Sequence, residues 1–173
     1  VWTTSSLARS TWSDSHIFGK PHGTEYDSDA TSDTTVGNTD GVTTYFEHET
    51  GVNQIKSGAS TAIAASIESG DLDIGQSGIP NQGDGEFMMK IRRVLPDFLQ
   101  QTGDARVTLN LKNYPTDAQA SSSLGPFTTT TSTDKIDTRA RARAISLKVD
   151  NTSIGQHWKL GTFRLDIQAD GRR

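Results

Sequence analysis

The chain contains no cysteine and only two methionines. Without cysteine there is no disulfide framework, no thiolate nucleophile and no cysteine-ligated zinc. The absence fits a reducing compartment, or a particle built inside one. No apolar run approaches the roughly 18 residues needed to cross a bilayer as a helix. Large apolar residues are sparse: Leu, Ile, Val and Phe number 34 of 173, just under the one-fifth share that warns of disorder. Net charge is also small, at −4, and disordered chains usually combine low hydrophobicity with strong charge. A folded chain is therefore expected, long enough for one domain or for one domain plus part of another. The first residues, Val1-Trp2, carry neither an initiator methionine nor a basic-then-apolar leader. They read as an entry into the C-terminal part of a longer polypeptide.

What the chain has in excess is Thr and Ser, 41 residues together, with 16 Gly. That composition favours strands and polar loops over helix. Charge is divided unevenly. Residues 1–80 hold 3 basic and 11 acidic side chains; residues 81–173 hold 14 and 10. The Gly, Pro and amide-rich stretch 75–85 (GQSGIPNQGDG) reads as a linker between an acidic, β-rich segment with long loops (1–80) and an antiparallel β domain (81–173).

Strand signals are clearest in the second part. ARVTLNLKN (105–113) alternates, with Val107, Leu109 and Leu111 on one face and Arg106, Thr108, Asn110 and Lys112 on the other. That is a half-buried antiparallel strand. EFMMKIRRVL (86–95) is β-like and stops at Pro96, and PFTTTTST (126–133) reads as an edge strand. DFLQQTG (97–103) reads as a turn or one helical turn. Residues 139–150 and 157–168 read as the last two strands, joined by the turn 151–155 into a hairpin. Upstream, 42–51 reads as a strand ending at Gly51, 61–69 as β rather than helix, and 24–41 as a solvated loop. The expected architecture is all-β: an antiparallel sandwich or barrel-like domain over 86–168.

The most unusual run is Arg139-Ala140-Arg141-Ala142-Arg143-Ala144. In one continuous strand the three arginines share a face with Ile145, Leu147 and Val149 and span roughly 13 Å. Such a row suits acidic groups of a neighbouring subunit or phosphates of DNA. A solvated face that discourages edge pairing accounts for it as well. Arg92-Arg93 is a weaker signal of the same kind. The four histidines, His16, His22, His48 and His157, lack the spacing of a metal motif. The carboxylates of 25–50 lack the EF-hand pattern. No nucleophile elbow, P-loop or dinucleotide fingerprint occurs. No catalytic activity, metal or cofactor is expected. Trp2, Trp12 and Trp158 offer stacking surfaces to a carbohydrate if exposed, and ordinary core packing if not. Trp158 shares parity with Leu160, which favours burial.

Three segments carry a family resemblance. Val1-Trp2 through Ser10-Thr11-Trp12 resembles a tryptophan-bracketed opening. Thr44-Tyr45-Phe46-Glu47-His48-Glu49-Thr50-Gly51 resembles a tyrosine, histidine, glutamate and glycine strand. Trp158-Lys159-Leu160-Gly161-Thr162-Phe163-Arg164-Leu165-Asp166-Ile167, followed by Asp170-Gly171-Arg172-Arg173, resembles a characteristic terminus and is the most specific of the three. Together with the arginine strand they resemble the C-terminal portion of tail nozzle or hub proteins of short-tailed bacteriophages. Ala169 stands where that pattern has proline, and the loop 24–41 is longer than the pattern requires. The resemblance implies a non-enzymatic virion protein of the phage tail. It implies a ring of six copies below the portal and adaptor, which retains DNA and conducts it during ejection. It implies contacts with the adaptor, with tail fibres or spikes and, non-specifically, with DNA, and strands at the start that complete a β-propeller. Arg139, Arg141, Arg143, Arg92 and Arg93 are the candidate interface or channel residues. A carbohydrate-binding β-sandwich of a receptor-binding protein is the alternative.

Overall fold

A computed structural model describes residues 2–3, 11–14, 16–25, 44–56, 58–75, 86–114 and 122–172. Over these described residues it is all-β, with antiparallel pairing and no closed barrel. Before residue 80 the strands are β1 (Trp2–Thr3), β2 (Thr11–Ser13), β3 (His22–Glu25), β4 (Thr44–Glu47), β5 (Asn53–Lys56), β6 (Ala59–Ala62), β7 (Ser66–Glu68) and β8 (Leu72–Asp73). After it come β9 (Met89–Leu95), β10 (Phe98–Thr102), β11 (Ala105–Lys112), β12 (Ser122–Thr129), β13 (Ile136–Ala142), β14 (Ala144–Asp150), β15 (His157–Leu160) and β16 (Arg164–Ala169).

Two sheets enclose the core. The larger runs β1-β7-β14-β11-β12, with β8 also on β14; the smaller runs β13-β9-β16. The alternation of β11 is realised as read: Val107 and Leu109 are fully buried, whereas Arg106, Thr108 and Asn110 stay partly wet. A leucine row, Leu147–Leu109–Leu124, crosses β14, β11 and β12. Facing it, Met89, Ile91 and Val94 of β9 and Ala140 and Ala142 of β13 complete the cluster, with Leu165 and Ile167 of β16 packed against it. The small alanines sit opposite Ile91 and Met89, so large and small side chains fit together across the pair.

Several sequence expectations are corrected. Residues 139–150 are not one strand. The chain bends at Arg143, and β13 and β14 belong to different sheets. Strands that change sheets at a bend make the corners of a sandwich. The bend also resets parity: Ala140 and Ala142 face inward before it, Ile145, Leu147 and Val149 after it. The expected terminal hairpin does not form. β14 lies between β11 and β7, β15 pairs with β10, and β16 pairs with β9. Residues 98–102 form strand β10 rather than a turn or helical turn, because backbone pairing to Trp158 and Lys159 claims them. The edge strand β12 occupies 122–129, earlier than expected, and 61–69 divides into the end of β6 and β7.

The charge boundary near residue 80 does not separate sheets, since β1, β7 and β8 extend the sheet built on β14. The linker lies outside the described residues except for Gly75. The loop 24–41 also does, apart from Thr24 and Glu25, which end β3. Upstream of the sandwich, β2-β3-β4 form a three-stranded meander and β5-β6 a hairpin.

Candidate functional site

The outer face of β13-β9-β16 gathers the basic residues that sequence reading singled out separately. Its centre is a bulge in β9. Arg93 lies opposite Asp166 and Ile91 opposite Ile167, so Arg92 has no counterpart on β16. The extra residue turns both Arg92 and Arg93 away from the core while Ile91 and Val94 stay buried. On the other side, Thr138 and Arg139 of β13 together oppose Arg92. There the Thr138 hydroxyl donates to the Ile91 carbonyl at 2.8 Å, satisfying a buried acceptor beside the bulge.

Cross-strand register then lays out the face. One row is Gln168–Lys90–Arg141 and another is Asp166–Arg93–Asp137. Arg92 and Arg139 stand between these rows, and Arg164 lies opposite Leu95 at the far end. Arg93 donates to Asp137 at 2.8 Å, and Lys135 reaches the same carboxylate at 3.2 Å. The Arg93 hydrogen bond first, and Lys135 after it, hold the Asp137 carboxyl below the usual carboxylate range. The same bond to Asp137 raises the Arg93 guanidinium.

The arginine run thus divides. Arg139 projects from the face, and neither it nor Arg92 has an ion-pair or hydrogen-bond partner among the described residues. Arg141 donates to the Asp170 carboxylate at 2.5 Å and to its carbonyl at 3.3 Å. Arg143, at the corner, donates to the carbonyls of Glu86 at 2.7 Å and Arg172 at 3.2 Å. Arg172 in turn lies 4.9 Å from the centre of the Phe87 ring. Backbone bonds between Met88 and both Asp170 and Gly171 extend this lock. Arg141 and Arg143 therefore tie the C-terminal segment to the start of β9, and the expected three-arginine ladder is reduced to two projecting residues on β13. Sequence reasoning missed Lys90 and Arg164. Their signal was parity: each precedes an inward residue, Ile91 and Leu165.

The outer face of the larger sheet is the natural comparison. Arg106 pairs with Asp150 at 2.5 Å and Lys112 with Asp71 at 2.8 Å. Glu68 accepts from Ser146 at 2.5 Å and Asn110 at 2.7 Å. The Ser146 bond, then that of Asn110, with help from Lys148 and Lys112, holds the Glu68 carboxyl below its ordinary range despite partial burial. A depressed carboxyl contributes stability above its unfolded pKa and loses it as pH falls through the folded value. Wild type is therefore expected to lose urea resistance relative to Glu68→Gln as pH falls from neutral to below about 4.5. A gap between the two midpoints that does not change with pH would contradict this.

The meander carries a second unusual surface. Tyr45 stacks on His22 with ring centres 4.9 Å apart, Phe18 meets His22 edge-on at 5.1 Å, and Trp12 lies 4.4 Å from His48. Trp12, Phe18 and Tyr45 are each more than half exposed. Trp158, by contrast, is half-buried against the core, and its indole donates to Asn151 at 3.1 Å. Trp2 has no described side chain. Among the described residues, no group of three or more His, Asp or Glu is placed to hold a metal ion. Among the described residues no helix is long and apolar enough to cross a membrane. No known protein-family model matches the chain, and no curated protein sequence matches it.

Proposed function

We propose that this chain is part of a non-enzymatic structural protein of a bacteriophage tail, a nozzle or hub that assembles as a closed ring of six copies in the virion. On this reading the ring retains packaged DNA and conducts it during ejection, and the adaptor and the fibres or spikes attach to it. The reading starts from the terminal motif and its neighbours in sequence. Two of those segments also interlock in space, because Arg141 and Arg143 hold Asp170 and Arg172. The observation that carries assembly is the incomplete burial upstream of the sandwich. Trp12, Ile17, Phe18, Tyr45 and Ile55 are all at least 56% exposed within residues 11–55. Trp12, Phe18 and Tyr45 gather around His48 and His22; exposed apolar clusters of this kind mark protein contact sites, and a subunit that finishes its burial against copies of itself supplies the cover.

The exposure of Trp12 and Tyr45 also favours a second reading, a carbohydrate-binding module that stacks sugar rings on them. Native mass measurement of the full-length protein, run beside a glycan-binding screen, separates the two. A discrete ring-sized oligomer without glycan binding is the expected result. A monomer that binds glycans, and loses them in Trp12→Ala, would replace the first reading with the second.

A further inference from the structure

We infer that the outer face of β13-β9-β16 binds the phosphate backbone of double-stranded DNA, with Lys90, Arg92, Arg139 and Arg164 as the contacting cations. The inference deepens the tail reading: it assigns DNA to one named face, and it relies on that reading only for where the DNA comes from.

The two outer faces of the sandwich differ in charge. Both belong to half-wet antiparallel sheets of the same sandwich. On the larger sheet Arg106, Lys112 and Lys148 meet Glu68, Asp71, Asp73 and Asp150, an excess of one negative charge. On the smaller sheet Lys90, Arg92, Arg93, Arg139, Arg141 and Arg164 meet only Asp137 and Asp166, with Asp170 at the margin, an excess of three positive charges. The fold does not demand this, because the other face does without it. It also works against the fold. Lys90 lies directly opposite Arg141, and Arg92 beside Arg139. Like charges opposed across strands destabilise a sheet. A bound polyanion removes that repulsion.

The makeup of the face also selects among polyanions. A stable protein interface centres on apolar or aromatic anchors and is depleted of charge at its core. Leu95 is the only exposed large hydrophobic of these three strands, and it sits at one end, 37% exposed. A face without anchors suits a partner recognised by charge alone. It also has no aromatic side chain on which to stack the bases of a single strand. Duplex backbone needs neither. Phosphates are bound by Lys and Arg without base contacts, and the guanidinium fork engages them bidentately. Alternate residues such as Lys90 and Arg92 lie roughly 7 Å apart along a strand, and adjacent strands about 4.8 Å apart. The four cations thus form a patch, not a line. The ion pairs keep it in shape, since Arg93 is held by Asp137 and Arg141 by Asp170.

The test is fluorescence anisotropy of the full chain with a labelled 20-base-pair duplex of arbitrary sequence, at salt concentrations from about 50 to 200 mM. Four phosphate contacts predict a log–log salt slope of roughly −3.6, and loss of two contacts brings it to roughly −1.8. Arg92→Ala with Arg139→Ala should give the lower slope and at least a tenfold weaker complex at low salt. Arg92→Lys with Arg139→Lys should keep the slope. Lys112→Ala with Lys148→Ala, on the opposite face, should change neither. All these side chains are at least partly exposed, and an unchanged circular dichroism spectrum verifies folding. No binding at 50 mM salt overturns the inference, as does binding that Arg92→Ala with Arg139→Ala leaves intact. If that pair instead lowers the native mass of the protein and no duplex binds, the face is a protein contact and the DNA assignment is wrong. Failure of the tail reading looks different: DNA binding with the predicted slope, by a protein missing from purified virions.

Discussion

Replacing Leu109 with alanine is expected to destabilise the protein by about 2–5 kcal/mol, the range for removing a fully buried leucine. Leu109 has no exposed surface and occupies the middle of the leucine row, between Leu147 and Leu124 on the two strands that flank β11. Across the core lie the side chains of β9 and β13, held in place by their own ladder. Neither wall can close on the space left by three missing carbon atoms, so both lost burial and cavity contribute. For a chain of this size the melting temperature should fall by about 4–20 °C. Thermal unfolding followed by circular dichroism checks this; a fall of less than about 2 °C would place Leu109 outside the core.

The second large effect is expected at Gly161, inside the terminal motif. Its amide donates to the Asp97 carbonyl at 2.8 Å, and the next amide, Thr162, donates to the Asp97 carboxylate at 3.0 Å. Asp97 therefore caps the link between β15 and β16 from both sides. A Cβ on residue 161 would stand 2.8 Å from the Asp97 carboxyl carbon and 3.0 Å from its carbonyl oxygen. The side chain cannot swing away without breaking the Thr162 bond, and the backbone oxygen cannot move at all without disturbing the entry to β10. Gly161→Ala should destabilise by about 1–3 kcal/mol, the usual range for overpacking. Gly70→Ala is the control, since nothing lies within 4 Å of its added carbon. Urea midpoints for the two variants should diverge; equal midpoints would mean that the Asp97 segment yields freely.

How much of this was legible in the sequence depended on whether local pattern decided the outcome. The wet and dry faces of β11 were readable because one face meets solvent along its whole length. The stop at Pro96 was readable because proline cannot extend the ladder. The corner at Arg143 was not. Period-two alternation continues straight through Arg139 to Val149, and only the second sheet tells the chain to turn. The failed hairpin has the same origin: 157–168 pairs with β10 and β9, which were not its sequence neighbours. The bulge at Arg92 left a trace, the doubled arginine between Ile91 and Val94, but a doubled polar residue also fits a strand end. For the basic face, residue types were legible and convergence was not. Arg92 and Arg139 are brought together by the β9–β13 register. Arg141 and Arg143 could not be seen as clamps until Asp170, Arg172 and Glu86 were placed beside them.

The most direct test of the proposed role is a reconstruction by electron cryo-microscopy of phage particles from the source that encodes this chain. A closed ring of these β-sandwiches below the portal and adaptor, with the β13-β9-β16 face turned toward DNA in the channel, is the predicted result. A tail whose density is fully explained by other proteins, with no copy of this sandwich in it, would contradict it.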